Sequence, residues 1–226
     1  MRAVAVVLAE SYGRELLSLV DRLQDGWEKR HGEKRGGQGL KPVLEVVLVD
    51  AATENRLMRR ALDELVTRDG ISHVEAPPGS SRAARLNDGV GATDAELIIC
   101  LDPAWHLETT YIASVLDAFA TDSELMFVSS WWRRELSGER SEVVIPPGCD
   151  LPALLGHLRA LHPATAFRRG LWQDLDGFDE ALPGFVADDG AEDDFWIRAA
   201  RAGPALVEKP ALGCGAATRN RECGSN

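Results

Sequence analysis

The feature that most restricts what this chain can become is a set of short apolar runs, each followed closely by an acid. Ala3-Val-Ala-Val-Val-Leu8, Val43-Leu-Glu-Val-Val-Leu-Val49 and Glu96-Leu-Ile-Ile-Cys-Leu101 have strand length and are rich in β-branched residues. They lead into Glu10, Asp50 and Asp102. A run that is apolar at successive positions is apolar on both faces of a strand. Such a strand must be covered from both sides, as in the middle of a parallel sheet. Between the runs the period changes. Leu16, Leu17, Leu19, Val20 and Leu23 predict a helix from about 12 to 30, and Leu57, Met58, Ala61, Leu62, Leu65 and Val66 predict another. The regular alternation predicts an α/β fold, Rossmann-like, with a mostly parallel central sheet and helices on both faces.

The remaining first-half elements fit this layout. A short strand is expected around His73, and Ser80 and Ser81 are suitable caps for a helix starting at Arg82. A helix near 107 to 120 and a strand near 124 to 130 follow. Residues 30 to 41 are Gly-rich and basic and predict a loop. The second half is less regular. Ser129 to Arg134 and Val143 to Ile145 read as strand material on either side of a turn, Pro152 to Leu161 as a short helix and Ala164 to Phe167 as a short buried strand. Ala205 to Val207 is apolar, and the rest reads as an irregular tail.

Bulk properties exclude several classes. A chain of 226 residues is long enough for a substantial core. The net charge of −11 argues against a general nucleic-acid binder, which needs a basic face. Cys100, Cys149, Cys214 and Cys223 show no Cys-x-x-Cys spacing, so neither a zinc site nor a disulfide framework is expected. Cys100, inside an apolar run, reads as a buried thiol. The N-terminal apolar run is too short for a signal peptide, and no membrane span is expected. These features together predict a cytoplasmic location.

The densest chemistry lies late in the chain. Asp188, Asp189, Glu192, Asp193 and Asp194 crowd one loop and the start of an amphipathic helix that continues through Phe195, Trp196, Ala199 and Ala200. Acids in a first helical turn are favoured by the helix dipole. Like charges this dense also repel, and so need a counter-ion, a metal or a proton.

The order of the pieces resembles the family 2 inverting glycosyltransferases with the GT-A fold, over roughly residues 3 to 205. The resemblance rests on Asp50 after a strand, Ser80-Ser-Arg-Ala-Ala-Arg-Leu-Asn-Asp-Gly89, Glu96-Leu-Ile-Ile-Cys-Leu-Asp102, Phe167-Arg-Arg followed by Gly177-Phe-Asp-Glu180, and Glu192-Asp-Asp-Phe-Trp-Ile-Arg198. It implies a single GT-A-like domain over 1–226. A nucleotide-sugar-binding half would cover 1–105, an acceptor-binding half 106–205 and a tail 206–226. It places Glu10 in the nucleotide pocket, Asp50 on the base, and Arg82, Arg85 and Asn87 on a helix facing the nucleotide-sugar. Asp102 matches the first acid of the metal-binding Asp-x-Asp, Gly177 and Phe178 a loop beside the donor sugar, and Asp193 of the Glu192–Asp193 pair the catalytic base.

The pattern is broken at one point. Ala104 stands where the second metal-binding acid belongs, and no histidine follows His162. Asp102 alone is a poor site for the Mg2+ or Mn2+ that the resemblance implies, and His106 suits a softer ion. Neutralisation of a leaving diphosphate would then fall to arginines: Arg82, Arg85, Arg168, Arg169, Arg219 or Arg221. The expected function is transfer of a sugar from a nucleotide-diphosphate sugar to a small-molecule, lipid-linked or peptide acceptor. The alternative is a catalytically inactive binding or scaffold protein on the same fold. Trp131 and Trp132 read as one core and one rim indole, and an exposed edge there would permit a homodimer.

Overall fold

The computed structural model describes residues 2–9, 13–32, 44–51, 54–103, 107–108, 110–135, 141–146, 148–156, 161, 164–182 and 190–208. Strand β1 (Ala3–Leu8) is buried throughout and leads to helix α1 (Gly13–Gly32). The alternation continues with β2 (Glu45–Asp50), α2 (Arg56–Leu65), β3 (Ile71–Glu75), α3 (Arg82–Gly91), β4 (Leu97–Leu101) and α4 (Tyr111–Thr121). Asn55 and Ser81 cap α2 and α3 by accepting backbone N–H bonds with their side chains. The predicted alternation is therefore present, with α4 displaced a few residues along the chain.

The second half adds β5 (Phe127–Ser130), β6 (Trp132–Glu135), β7 (Ser141–Val144), α5 (Leu151–Gly156), β8 (Ala166–Arg168), α6 (Arg169–Asp174), α7 (Gly190–Ala202) and β9 (Ala205–Glu208). The main sheet has the order β3-β2-β1-β4-β8-β5-β9. β1 to β4 are parallel, and β9 pairs parallel to β5. β8 runs antiparallel between β4 and β5, with Leu97 opposite Arg168 and Phe127 opposite Phe167.

Alternate residues of each strand serve opposite faces. Ala3, Ala5 and Val7 belong to one core with Leu16, Leu19, Met58 and Ile112, so α1, α2 and α4 cover that side. Val4, Val6 and Leu8 belong to the other core with Leu86, Leu154, Leu171 and Phe195, beneath α3, α5, α6 and α7. Among the described residues, no helix is long and apolar enough to cross a membrane.

The strand material at 129–134 divides in two. Ser129 and Ser130 stay in the main sheet beside β9, whereas β6 pairs with β7 in a separate antiparallel ribbon. Trp132 is buried and Trp131 half-buried. Of the helix expected over Pro152 to Leu161, the described part ends at Gly156. Helix α6, only six residues long, is too short to leave a periodic signal in the sequence.

Helix α3 lies unusually close to the sheet. A Cβ on Gly89 would sit 2.4 Å from Val6 Cγ1 and 2.8 Å from Val49 Cγ2. Both neighbours are stiff β-branched side chains in central strands and cannot swing aside. Gly89→Ala is expected to cost about 1–3 kcal/mol, the range for overpacking a core, despite alanine's better helix propensity. A urea denaturation midpoint at or above wild type would contradict this account of the approach.

Candidate functional site

In a parallel sheet the carboxyl ends of neighbouring strands open into a crevice, and helices begin there. Asp50 ends β2 and Asp102 follows β4, and both are almost buried, at 6% and 8% exposure. Arg82 opens α3, and Glu192 and Asp193 lie in the first turn of α7. Three of these residues meet. The Arg82 guanidinium donates from Nε to Glu192 Oε2 at 2.8 Å and places Nη1 3.8 Å from Asp102 Oδ2. The three side chains are only 11–16% exposed, so solvent screens them much less than a surface pair. Residues from positions 82, 102 and 192 are thus gathered around one cation. Asp193 is half-buried beside Glu192 in the same turn.

Cys100 lies within this electrostatic field. Burial pushes its thiol well above the ordinary range, the Glu192 charge pushes the same way, and the Arg82 charge opposes. Cys149 is pushed up to about 12 by burial, with a smaller contribution from Asp150. Both are free thiols in the native fold. With Cys214 and Cys223 replaced by Ser, the native protein should react with Ellman's reagent at pH 8 only as fast as it unfolds. A folded pKa above the unfolded value means the native state keeps a proton that the unfolded chain releases. This contribution is whole below the ordinary thiol value of 9.0 and is lost as pH rises toward 12. Rapid labelling of native Cys149 at pH 8 would contradict its burial.

A second cluster holds α3, α7 and a turn together. Asn87 Oδ1 accepts from Trp172 Nε1 at 3.0 Å and from the Phe178 N–H at 2.9 Å. Its Nδ2 donates to the Phe178 carbonyl at 2.9 Å and to Glu180 at 2.8 Å. Gly177 has φ +77°, and a Cβ there would fall 2.7 Å from Asn87 Oδ1, so glycine is required twice over. Arg198 donates to the carbonyls of Leu175 (2.6 Å) and Gly177 (2.9 Å) and pairs with Asp194 at 2.7 Å. The turn expected beside a donor sugar is therefore bound to both helices of the site. Asn87 is occupied in holding it, and the Phe178 ring is 2% exposed, 4.5 Å from the Phe195 ring centroid. No role for Trp172 or Arg198 follows from the sequence alone. The Asp194–Arg198 spacing of four was the available sign.

Other candidates fall elsewhere. Because β8 is antiparallel, Arg168 lies opposite Leu97 at the start of β4, away from Asp102. Its guanidinium is bonded to the Leu125 and Ser123 carbonyls. Arg168 and Arg169 line a cavity of about 360 Å3 with Asp94, Glu96 and Asp174, at the opposite end of β4 from the ion cluster. This placement corrects the expectation that they could meet a leaving group beside Asp102. Arg85 is half-buried three residues beyond Arg82 on α3. Trp196 is partly buried against Phe127 and Phe167, its ring centroid 5.4 Å from the first and 5.8 Å from the second. Glu10, Ala104, His106, His162, Asp188, Asp189, Arg219 and Arg221 lie outside the described residues.

The fit to Mg2+ or Mn2+ can be tested on the donor set. Among the described residues, no group of three or more His, Cys, Asp or Glu converges. The Asp102 and Glu192 carboxylates face a guanidinium, and Ala104 brings no donor atom in its side chain. A hard divalent ion needs several oxygens turned toward it, and these residues do not fit that requirement.

A mostly parallel sheet with one reversed strand, and acids gathered at its carboxyl edge, define an α/β fold of the GT-A type. Solved structures of that class superpose on the chain. TarS residues 1–349 of S. aureus match with a TM-score of 0.70 at 14% identity, covering 97% of this chain and 60% of that one. Its complex with UDP-GlcNAc matches at 0.69 and 16%, covering 97% and 59%. The mannosyltransferase PcManGT of Pyrobaculum calidifontis, in complex with GDP-Man and Mn2+, matches at 0.61 and 19%, covering 99% and 58%. This chain spans about 60% of the length of these neighbours. No family model matches the sequence, and no curated protein does.

Proposed function

We propose that the protein is a glycosyltransferase that moves a sugar from a nucleotide-diphosphate donor to an acceptor hydroxyl with inversion. The observation that carries this reading is the meeting of Arg82, Asp102 and Glu192 at the carboxyl edge of a GT-A-type sheet, with Asp193 in the same helical turn as Glu192. Asp193 takes the proton of the acceptor hydroxyl as its oxygen attacks the anomeric carbon. The bond from that carbon to the diphosphate oxygen breaks on the opposite side, and the nucleoside diphosphate leaves. Arg82 and Arg85, three apart on α3 and so on neighbouring positions of one helix face, are the cations assigned to the diphosphate. Asp50 is assigned to the base and Glu10 to the nucleotide pocket. Asn87, Gly177 and Phe178 are assigned to shaping the donor side through the turn they build.

The experiment is calorimetric binding of UDP, GDP, dTDP and CDP and their common sugars, followed by assay for nucleoside diphosphate release. Binding of one nucleoside diphosphate with slow release from its sugar is the expected result. Absence of binding to every member of the panel would overturn the reading in favour of a non-catalytic protein on this fold.

A further inference from the structure

The resemblance implies a divalent ion at the acid after β4, and the structure presents a guanidinium to that acid. We propose that Arg82 takes the place of the divalent cation. It is a cation built into the chain, held between Asp102 and Glu192, and it makes an added metal unnecessary at this end of the sheet.

Three observations converge. First, Arg82 bridges the end of β4 and the start of α7, through Asp102 at 3.8 Å and Glu192 at 2.8 Å. Second, the bridge is shielded, with its members 11–16% exposed. Two carboxylates drawn this far from water need a fixed positive charge, because leaving either unpaired is strongly unfavourable. Third, the sequence substitution matches the structural one. With Ala104 the chain lacks a carboxylate that a divalent ion would need, which leaves Asp102 and Glu192 as the two acids that Arg82 faces.

The position of Arg82 is itself fixed. It is the first residue of α3, whose N-cap is Ser81, and α3 is pressed onto the sheet at Gly89. The cation is thus delivered by a rigid element rather than recruited from solvent. It carries one charge where a metal carries two, and its burial limits how far salt can screen it.

The inference rests on the glycosyl-transfer reading only for the kind of ion replaced. Its test uses Mn2+ alone and no nucleotide, so either can fail without the other. Mn2+ is titrated into wild type, Asp102→Asn, Arg82→Ala and the double variant Arg82→Ala/Asp102→Asn, with the free ion followed by electron paramagnetic resonance. The expected result is that wild type and Asp102→Asn give the same titration, which places no ion at Asp102. Arg82→Ala, with two carboxylates released, should bind Mn2+ at least about tenfold more tightly than wild type. The double variant should lose that gain.

A wild-type site that disappears in Asp102→Asn would overturn the proposal, as would a folded Arg82→Ala that binds no better than wild type. Arg82→Gln, closer in shape to arginine, replaces the alanine variant if the latter does not fold. A difference between wild type and Asp102→Asn overturns the proposal even if neither Arg82 variant can be prepared.

Discussion

Replacing Asp193 with Asn should lower sugar transfer by about 10²- to 10⁴-fold, the usual contribution of a positioned general base. Nucleoside diphosphate binding should stay within about twofold, because the proposed base would act on the acceptor and not on the donor's phosphates. The two carboxylates of the pair are thereby separated. Glu192 is held by Arg82 at 2.8 Å, so Glu192→Gln weakens a structural ion pair and should lower the melting temperature as well as turnover. Full activity in Asp193→Asn would remove the base assignment.

Phe195→Ala should produce the largest loss of stability, about 3–5 kcal/mol by analogy with other buried aromatic truncations. Phe195 is fully buried, and its ring lies 4.5 Å from that of Phe178, 5.3 Å from Phe167 and 5.0 Å from Trp196, measured between centroids. It is the apolar anchor of α7, two residues beyond Asp193. Truncation leaves a cavity that rigid aromatic neighbours cannot collapse to fill. The denaturant midpoint measures the effect. A change of under about 1 kcal/mol would show that α7 is held by its polar ends and not by this ring.

Much of the architecture is legible in the sequence because burial on both faces leaves a plain signature. The runs at 3–8, 43–49 and 96–101 could be nothing but interior strands once helical spacing separated them. The N-cap at Ser81 is legible for the same local reason. What is not legible depends on partners distant in sequence. Nothing near Arg168 indicates that its strand runs against its neighbours, and that reversal is what removes Arg168 and Arg169 from the vicinity of Asp102. Arg82 could be read as a phosphate ligand from its place at a helix start. Its engagement with Glu192, 110 positions later, is a tertiary fact. Likewise the resemblance places Asn87 on the helix facing the nucleotide-sugar, while its four bonds to residues 172, 178 and 180 make it a fastening for the turn.

The reversed strand has a consequence for how the molecule is made. β4 is a central strand only because β8 lies along its free edge, and β8 in turn joins β5, whose other neighbour is β9. The pairings of Leu97 with Arg168 and of Phe127 with Ala205 close long loops of chain. Closure of long loops precedes the contacts that reward it, so folding in milliseconds to seconds is expected rather than the microseconds of helical bundles. A fragment cut at 105 would carry an unpaired apolar edge at Leu97, Ile98 and Ile99, a template for aggregation. The chain on either side of residue 105 should therefore fold as one cooperative unit, and a fragment containing only the first part should be insoluble.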